Sequence, residues 1–252
     1  MQVIRIKNVE IGKGIPKICV PITGKCREEI LKEIEMIKNS EVDLAEWRAD
    51  FFKEGENIEE ICGMLETIND SLEQIPVLFT FRTLEEGGEK GIMPEDYVKL
   101  LRTISKRKLA DIIDIQVFFC KEDAEDLIKE LKENGTIVLA SSHHFEGTPG
   151  TEEMLKAMQD MEECEADILK LAVMPKSYQD LCRLLEVTMK ISECSQKPVV
   201  TMSMGKAGML SRICGEFTGS CITFAAGQKA SAPGQIEAEK LRKILEDIHA
   251  IL

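Results

Sequence analysis

Long apolar runs are missing from this sequence. No run approaches the roughly 20 consecutive apolar residues that a membrane-spanning helix requires. The N-terminal stretch alternates apolar and polar residues and has no apolar signal-peptide region. We therefore expect neither membrane association nor export. The 252 residues are 44% hydrophobic, which is enough for a sizeable core, and we predict a single domain over residues 1–252.

Paired cysteines are also missing. The nine cysteines are scattered, their number is odd, and no two of them form a Cys-x-x-Cys pair. Most lie in apolar runs or helical stretches, as reduced cysteines of cytosolic proteins do. No cluster of His, Asp or Glu has the spacing of metal ligands. The sequence therefore predicts a cytoplasmic protein with no metal site and no cofactor.

Positive charge is scarce relative to negative charge. The formal net charge is −13, so the long-range field of the protein repels polyanions. This argues against nucleic acid or an anionic membrane as a partner. A small anionic substrate remains compatible, because a pocket can be locally positive on an acidic protein.

Short apolar runs with β-forming composition recur eight times along the chain. They occupy residues 17–24, 43–50, 76–83, 111–117, 136–143, 166–173, 198–205 and 220–226. Most of the segments between and after them have helical periodicity: 26–39, 57–73, 94–109, 121–133, 151–164, 177–194 and 235–252. Segment 206–215 is short and rich in glycine. Eight strand–helix repeats at this length predict a (β/α)8 TIM barrel.

Two shorter alternating runs precede this pattern, at Val3–Ile6 and Asn8–Ile11. We expect them to form a short N-terminal β-hairpin that closes the bottom of the barrel. A doubly wound open sheet is the alternative fold, but it requires a glycine-rich fingerprint after its first strand. The loop Thr23-Gly24-Lys25-Cys26 is no dinucleotide motif, so the barrel is favoured.

The run at 166–173 contains one lysine among apolar residues. Lys170 shares its face of the predicted strand with Ile168 and Ala172. A lysine at a strand end can simply extend its amine to water. A buried lysine, by contrast, is either paired with a counter-ion or acts as a nucleophile.

Polar residues gather at the predicted C-terminal ends of the strands, where barrel enzymes carry their active sites. They are Glu46, Arg48, Arg82, Glu86, Ser141, Ser142, His143, His144, Lys170, Arg212, Ser231 and Gln235. Each alone fits an ordinary ion pair or loop residue. Together they fall at the same end of six of the eight strands, which indicates an active site.

The chemistry of this set is coherent. Three arginines and a lysine favour an anionic ligand, most simply a carboxylate held by a planar guanidinium. Lys170 can condense with a ketone to give an iminium. His143 can transfer protons, and Glu86 can orient its imidazole. Ser231, Gln235 and Glu46 offer hydrogen-bond partners for hydroxyl groups.

These residues belong to motifs that resemble type I 3-dehydroquinate dehydratase, the Schiff-base lyase of the shikimate pathway. The resemblance runs from Ile18-Cys19-Val20-Pro21 to the last helix. Its motifs are Glu46-x-Arg48, Phe81-Arg82, Ser141-x-His143-x-Phe145, Lys170, Met202-x-Met204-Gly205-x-x-Gly208-x-x-Ser211-Arg212 and Ser231-Ala232-Pro233-Gly234-Gln235. The last two motifs are specific, whereas Glu46-x-Arg48 alone is not.

The resemblance implies a homodimeric (β/α)8 enzyme of aromatic amino acid and chorismate biosynthesis. It would convert 3-dehydroquinate to 3-dehydroshikimate and water. Lys170 would form the imine, His143 would act as general base and acid, and Glu86 would support His143. The substrate carboxylate would be held by Arg212, Ser231 and Gln235, and the ring hydroxyls by Glu46, Arg48 and Arg82.

Three positions depart from the family pattern. Ser142 stands where an aromatic residue is common, His144 where Asp is common, and Gln116 where Glu or Asp is common. None of them replaces a proposed catalytic group. They bear on rate and pH optimum rather than on the type of reaction.

Two other functions are compatible with parts of the pattern. A class I Schiff-base aldolase would share the lysine on a late strand, and Gly205–Gly208 could supply its phosphate site. A barrel that binds an acidic metabolite without turnover would not need both Lys170 and His143. The resemblance favours the dehydratase over both.

Overall fold

A computed structural model describes residues 2–227 and 232–252. Within these ranges, an antiparallel hairpin of β1 (Ile4–Ile6) and β2 (Val9–Ile11) precedes an eight-stranded parallel sheet. The strands of the sheet are β3 (Lys17–Ile22), β4 (Leu44–Arg48), β5 (Val77–Thr80), β6 (Ile112–Gln116), β7 (Ile137–His144), β8 (Ile168–Val173), β9 (Val199–Ser203) and β10 (Ile222–Phe224). The predicted (β/α)8 fold is confirmed.

Helices follow the strands on the outside of the sheet. They are α1 (Arg27–Lys38), α2 (Ile58–Ser71), α3 (Pro94–Lys106), α4 (Ala124–Glu133), α5 (Thr151–Glu163), α6 (Tyr178–Cys194), α7 (Gly215–Thr218) and α8 (Ala238–His249). Their apolar faces cover the outer face of the strands in one large core. No helix in the described ranges is both long and apolar enough to cross a membrane.

The sheet closes into a barrel where its two outermost strands, β9 and β10, meet. The strand order is β10-β3-β4-β5-β6-β7-β8-β9, so β10 lies beside β3. A hydrogen bond from Cys221 N to Val199 O (2.8 Å) and a bridge between Val199 and Ser220 join the β9 and β10 segments. The helix between them, α7, has only four residues, as the short glycine-rich segment suggested.

The hairpin closes the bottom of the barrel. Ile6 and Ile11 are buried together with side chains from the interior of the barrel, among them Leu44, Ile112 and Ile168. These three residues begin their strands, so the hairpin covers the N-terminal end of the sheet. The opposite, C-terminal end remains available for a site.

The alternation predicted for the lysine-bearing strand holds in β8. Ile168 and Ala172 belong to the interior cluster of the barrel, whereas Leu169, Leu171 and Val173 pack in the outer core. Lys170 therefore points into the barrel, and it is 3% exposed. Its neighbour across the ladder on β7 is Ser141, two residues before His143.

Candidate active site

A pocket opens at the C-terminal end of the barrel. It is small in this structure, with a cavity volume of about 100 Å³. Most of the residues singled out in the sequence line it: Glu46, Arg48, Arg82, His143, Lys170, Arg212 and Gln235. Ser231 lies outside the described residues. Apolar side chains complete the wall: Phe51, Phe145, Ala172, Met202, Met204 and Phe224.

Lys170 lies at the base of this pocket between two carboxylates. Its Nζ is 3.6 Å from Glu46 Oε1 and 3.5 Å from Asp114 Oδ2. The amine also lies over the ring of Phe224, 4.4 Å from its centroid. Glu46 is itself held by Thr80 Oγ1, which donates to it at 2.9 Å. A positive charge on this nitrogen is therefore balanced from two sides.

His143 and Glu86 are in direct contact. His143 Nδ1 lies 2.8 Å from Glu86 Oε2, so the imidazole is oriented by a carboxyl group and its Nε2 remains for another partner. Glu86 comes from a 3-10 turn (Leu84–Glu86) after β5, and His143 from the end of β7.

Burial shifts the proton equilibria of this pair. Loss of solvent raises the pKa of Glu86 to about 7, with the positive charge of Arg82 opposing the shift and the negative charge of Asp114 adding to it. Burial also lowers the pKa of His143 well below its usual value, and the charges of Arg82 and Lys170 act in the same direction. Near neutral pH the imidazole is therefore uncharged.

Asp114 is a member of the site that our sequence reasoning did not include. It is fully buried and accepts hydrogen bonds from Arg82 Nη2 (2.9 Å) and Ser141 Oγ (2.7 Å) beside its contact with Lys170. Burial alone would raise its pKa, but Arg82, Lys170 and Ser141 together lower it. The signal was present in the sequence, because a carboxylate inside an apolar strand is as unusual as Lys170.

Arg82 donates hydrogen bonds to four protein side chains. Besides Asp114, its Nη1 donates to Gln116 Oε1 (2.8 Å), Ser141 Oγ (3.0 Å) and Glu86 Oε2 (3.3 Å). The guanidinium thereby links β5, β6, β7 and the turn that carries Glu86. Gln116, one of the departures from the family pattern, is part of this network and also donates to Thr83 Oγ1 (2.8 Å).

Arg48 is likewise paired with a carboxylate. Its Nε and Nη2 donate to the two oxygens of Asp50, at 2.8 and 2.7 Å, in a forked arrangement. Asp50 is fully buried and also accepts from the backbone nitrogens of Arg82 (3.3 Å) and Glu89 (3.1 Å). One face of the pocket wall is thus fixed by a buried ion pair.

Arg212 differs from the other two arginines of the pocket. In the ranges the structure describes, its guanidinium donates to the carbonyls of Phe224 (3.0 Å) and Pro233 (3.3 Å), its Nε has no partner, and no carboxylate forms an ion pair with it. Burial lowers its pKa to about 10. A buried cation without a counter-ion is a receptor for an anion.

The two adjacent histidines lie on different sides of β7. His143 lines the pocket with Lys170, and His144 does not. Both histidines line a neighbouring depression together with Glu153 and Thr148. Ser142 Oγ lies 3.3 Å from His144 Nε2. These two departures from the family pattern therefore pair with each other, outside the pocket that contains Lys170.

No group of three or more His, Cys, Asp or Glu residues that could hold a metal ion occurs in residues 2–227 and 232–252. The reactive and charged groups that the described residues bring to the pocket are the lysine, the histidine–carboxyl pair and the arginines.

Comparison with known proteins matches nearly the whole chain to one family. The model of the type I 3-dehydroquinase family matches residues 18–251. A 3-dehydroquinate dehydratase of Clostridium novyi is 44% identical over 254 residues, which covers 100% of both chains. One from Listeria monocytogenes is 40% identical over 249 residues and covers 99% of each.

Solved structures agree with this assignment. The type I 3-dehydroquinate dehydratase of Clostridium difficile, solved with covalently modified comenic acid, superposes with a TM-score of 0.96 at 40% identity. The superposition covers 100% of this chain and 99% of that one. The enzyme of Geobacillus kaustophilus gives a TM-score of 0.95 at 34% identity, over 99% and 97% of the two chains.

Proposed function

This chain belongs to the type I 3-dehydroquinase family, and from that premise we propose how it dehydrates 3-dehydroquinate to 3-dehydroshikimate. The Lys170 amine adds to the substrate ketone and loses water, giving an iminium. His143 Nε2 removes a proton from the adjacent carbon, and the electrons of that bond form an enamine. The enamine expels the hydroxyl group one carbon further, which leaves as water with the proton returned by His143. Hydrolysis of the imine releases the product and the free lysine.

The position of Lys170 between Glu46 and Asp114 is the observation that carries this proposal. An iminium nitrogen keeps a positive charge, and two carboxylates within 3.6 Å of Nζ balance it without any movement of the protein. The covalently modified ligand in the Clostridium difficile relative supports covalent chemistry in this family. The direct test is turnover of 3-dehydroquinate, followed by the absorbance of the conjugated product.

Substrate binding divides between two sides of the pocket. We assign the substrate carboxylate to Arg212, with Ser231 and Gln235, because Arg212 is the pocket arginine without a carboxylate partner among the described residues. Glu46 and Arg48 would receive the ring hydroxyls from the opposite wall. Arg82 also lines the pocket, but its four protein partners suit it mainly to holding Glu86, Ser141 and Asp114 in place.

Arg212→Lys is expected to raise the KM for 3-dehydroquinate strongly and to leave kcat less affected. The substitution keeps the charge but removes the planar fork that matches a carboxylate. Steady-state kinetics measures the change. Arg242→Lys serves as control, since Arg242 forms an ion pair with Asp43, donates to the backbone carbonyl of Glu41 and lies outside the pocket. An unchanged KM in Arg212→Lys would place the substrate carboxylate elsewhere.

The value of kcat/KM is expected to rise with pH through a midpoint near 7, set by Glu86. Below its pKa, the protonated carboxyl donates to His143 Nδ1, and the hydrogen of the imidazole then occupies Nε2. Above its pKa, the carboxylate accepts from Nδ1–H, and Nε2 is free to act as base. Glu86→Gln removes the titrating group, so its profile should lose this midpoint. A midpoint that persists in Glu86→Gln would assign the titration to another group.

We also propose that the protein is a homodimer. Met189 on α6 and Phe217 on α7 are large apolar side chains, 42% and 59% exposed. The two helices contact each other through a hydrogen bond from Ser192 Oγ to Thr218 O (3.2 Å), so these side chains belong to one surface region. Burial against a second copy would remove this apolar area from water. Sedimentation equilibrium of the purified protein measures the assembly directly.

A further inference from the structure

Two segments meet beside the proposed acid–base pair. One is the turn at residues 84–87, in which Glu86 ends a single 3-10 turn and Gly87 follows with a φ of 78°. The other is the end of β7, where His143 and Phe145 are separated by one residue. The first contact between the segments is the one between Glu86 Oε2 and His143 Nδ1 (2.8 Å).

A second contact lies one residue further along the turn and two residues further along the other segment. A Cβ built on Gly87 would lie 2.6 Å from Cδ2 of Phe145 and closer still to Cε2, so the aromatic ring packs directly on the glycine backbone. Glycine is favoured here for two reasons, because its φ is positive and because a side chain would displace the ring. The Phe145 ring itself is 38% exposed and lies outside the hydrophobic core.

We infer that Phe145 is a positioning residue that holds the carboxyl group of Glu86 against His143. A single 3-10 turn has weak internal hydrogen bonding, so contacts with neighbouring segments fix its place. The ring on Gly87 holds the turn from one side of Glu86, as Arg82 holds it from the other (Nη1 to Oε2, 3.3 Å). This inference rests on the proposed function, because it requires that Glu86 and His143 act as a pair.

Direct contact with substrate is the rival explanation, since Phe145 also lines the pocket. A double-mutant cycle separates the two. Phe145→Leu removes the flat ring but keeps an apolar side chain, and it is expected to lower kcat about tenfold, since small misplacements of catalytic groups are costly. In a Glu86→Ala background there is no carboxyl group to position. In the Glu86→Ala background, Phe145→Leu should change kcat less than about twofold. In each background, the protein that carries Phe145→Leu should keep the unfolding temperature of the protein from which it was made.

Met204→Leu provides the matched control. Met204 is a buried apolar residue of the same pocket on the segment after β9, away from the 84–87 turn. Its effect on kcat and KM should be the same in the parent and in Glu86→Ala, because it acts on the substrate and not through Glu86. If borohydride is added together with substrate, it should reduce the imine on Lys170 to a stable adduct. This adduct should form in every variant.

The outcomes are distinct. Equal losses of kcat from Phe145→Leu in both backgrounds would overturn the positioning role and assign Phe145 to substrate contact. If the single variant Glu86→Ala keeps the kcat of the wild type, both this inference and the proposed role of Glu86 are overturned. If the Lys170 adduct forms normally and Phe145→Leu lowers kcat by the same factor in both backgrounds, the proposed function stands. Only the positioning role of Phe145 is then refuted.

Discussion

Lys170→Ala is expected to abolish turnover of 3-dehydroquinate, with a loss of at least about 10⁴-fold in kcat, because it removes the amine on which the proposed imine forms. The cause is chemical rather than structural: Lys170 is 3% exposed, and among the described residues that line the pocket it is the one lysine. Lys176→Ala is the matched control. Lys176 is exposed on the loop after the same strand, β8, and its removal should leave kcat unchanged.

The covalent intermediate can be captured on the wild-type protein. Borohydride added together with substrate should reduce the imine and leave a ligand on Lys170, identified by mass spectrometry of the digested protein. Lys170→Ala should give no adduct under the same conditions. An adduct on another lysine, or an active enzyme that yields no adduct, would refute the mechanism proposed above.

His143→Ala is expected to lose most turnover while retaining imine formation. A general acid–base group contributes roughly 10²–10⁴-fold to rate, and His143 shares the pocket with Lys170. Because Lys170 remains in the variant, borohydride should still trap the substrate on it. Single-turnover measurements would then show that proton transfer, and not binding, has become slow.

The neighbouring histidine supplies the control for this experiment. His144 does not line the pocket that contains Lys170, and it lies with Glu153 in the neighbouring depression. His144→Ala should therefore keep activity within about tenfold, equivalent to about 1.4 kcal/mol in the activation barrier. If His144→Ala were inactive and His143→Ala active, the assignment of the catalytic base would be wrong by one residue.

Much of the fold could be predicted because barrel strands carry a simple pattern. Each of the eight apolar runs overlaps one strand of the sheet, with only β7 extending one residue past its run, and the alternation within 166–173 correctly placed Ile168 and Ala172 on the inner face. The ends of the elements were less accurate. The segment 121–133 begins its helix only at Ala124, because apolar periodicity does not mark where a helix starts.

The placement of the polar residues was harder to predict, because it depends on which strands are neighbours and at what register. The sequence suggested three arginines free to meet an anion, but Arg48 and Arg82 are occupied by Asp50 and Asp114. Arg82 and Asp114 are brought together only by folding, whereas Asp50 lies two residues after Arg48 and was not considered as its partner. Asp114 was overlooked because the run at 111–117 was interpreted by its apolar residues, although Asp114 and Gln116 share one face of that strand.

The isolated charge of Arg212 has a thermodynamic consequence for the empty protein. Desolvation of a guanidinium without a counter-ion is unfavourable, and the chain bears that cost whenever it folds. A carboxylate ligand removes the cost on arrival, so ligand binding and folding are linked equilibria. At a ligand concentration of 100 times Kd, mass action alone adds about 2.7 kcal/mol to the free energy of unfolding. The buried charge of Arg212 thus lowers the stability of the unliganded barrel. In return, the proposed anion-binding group is already in position before the anion binds.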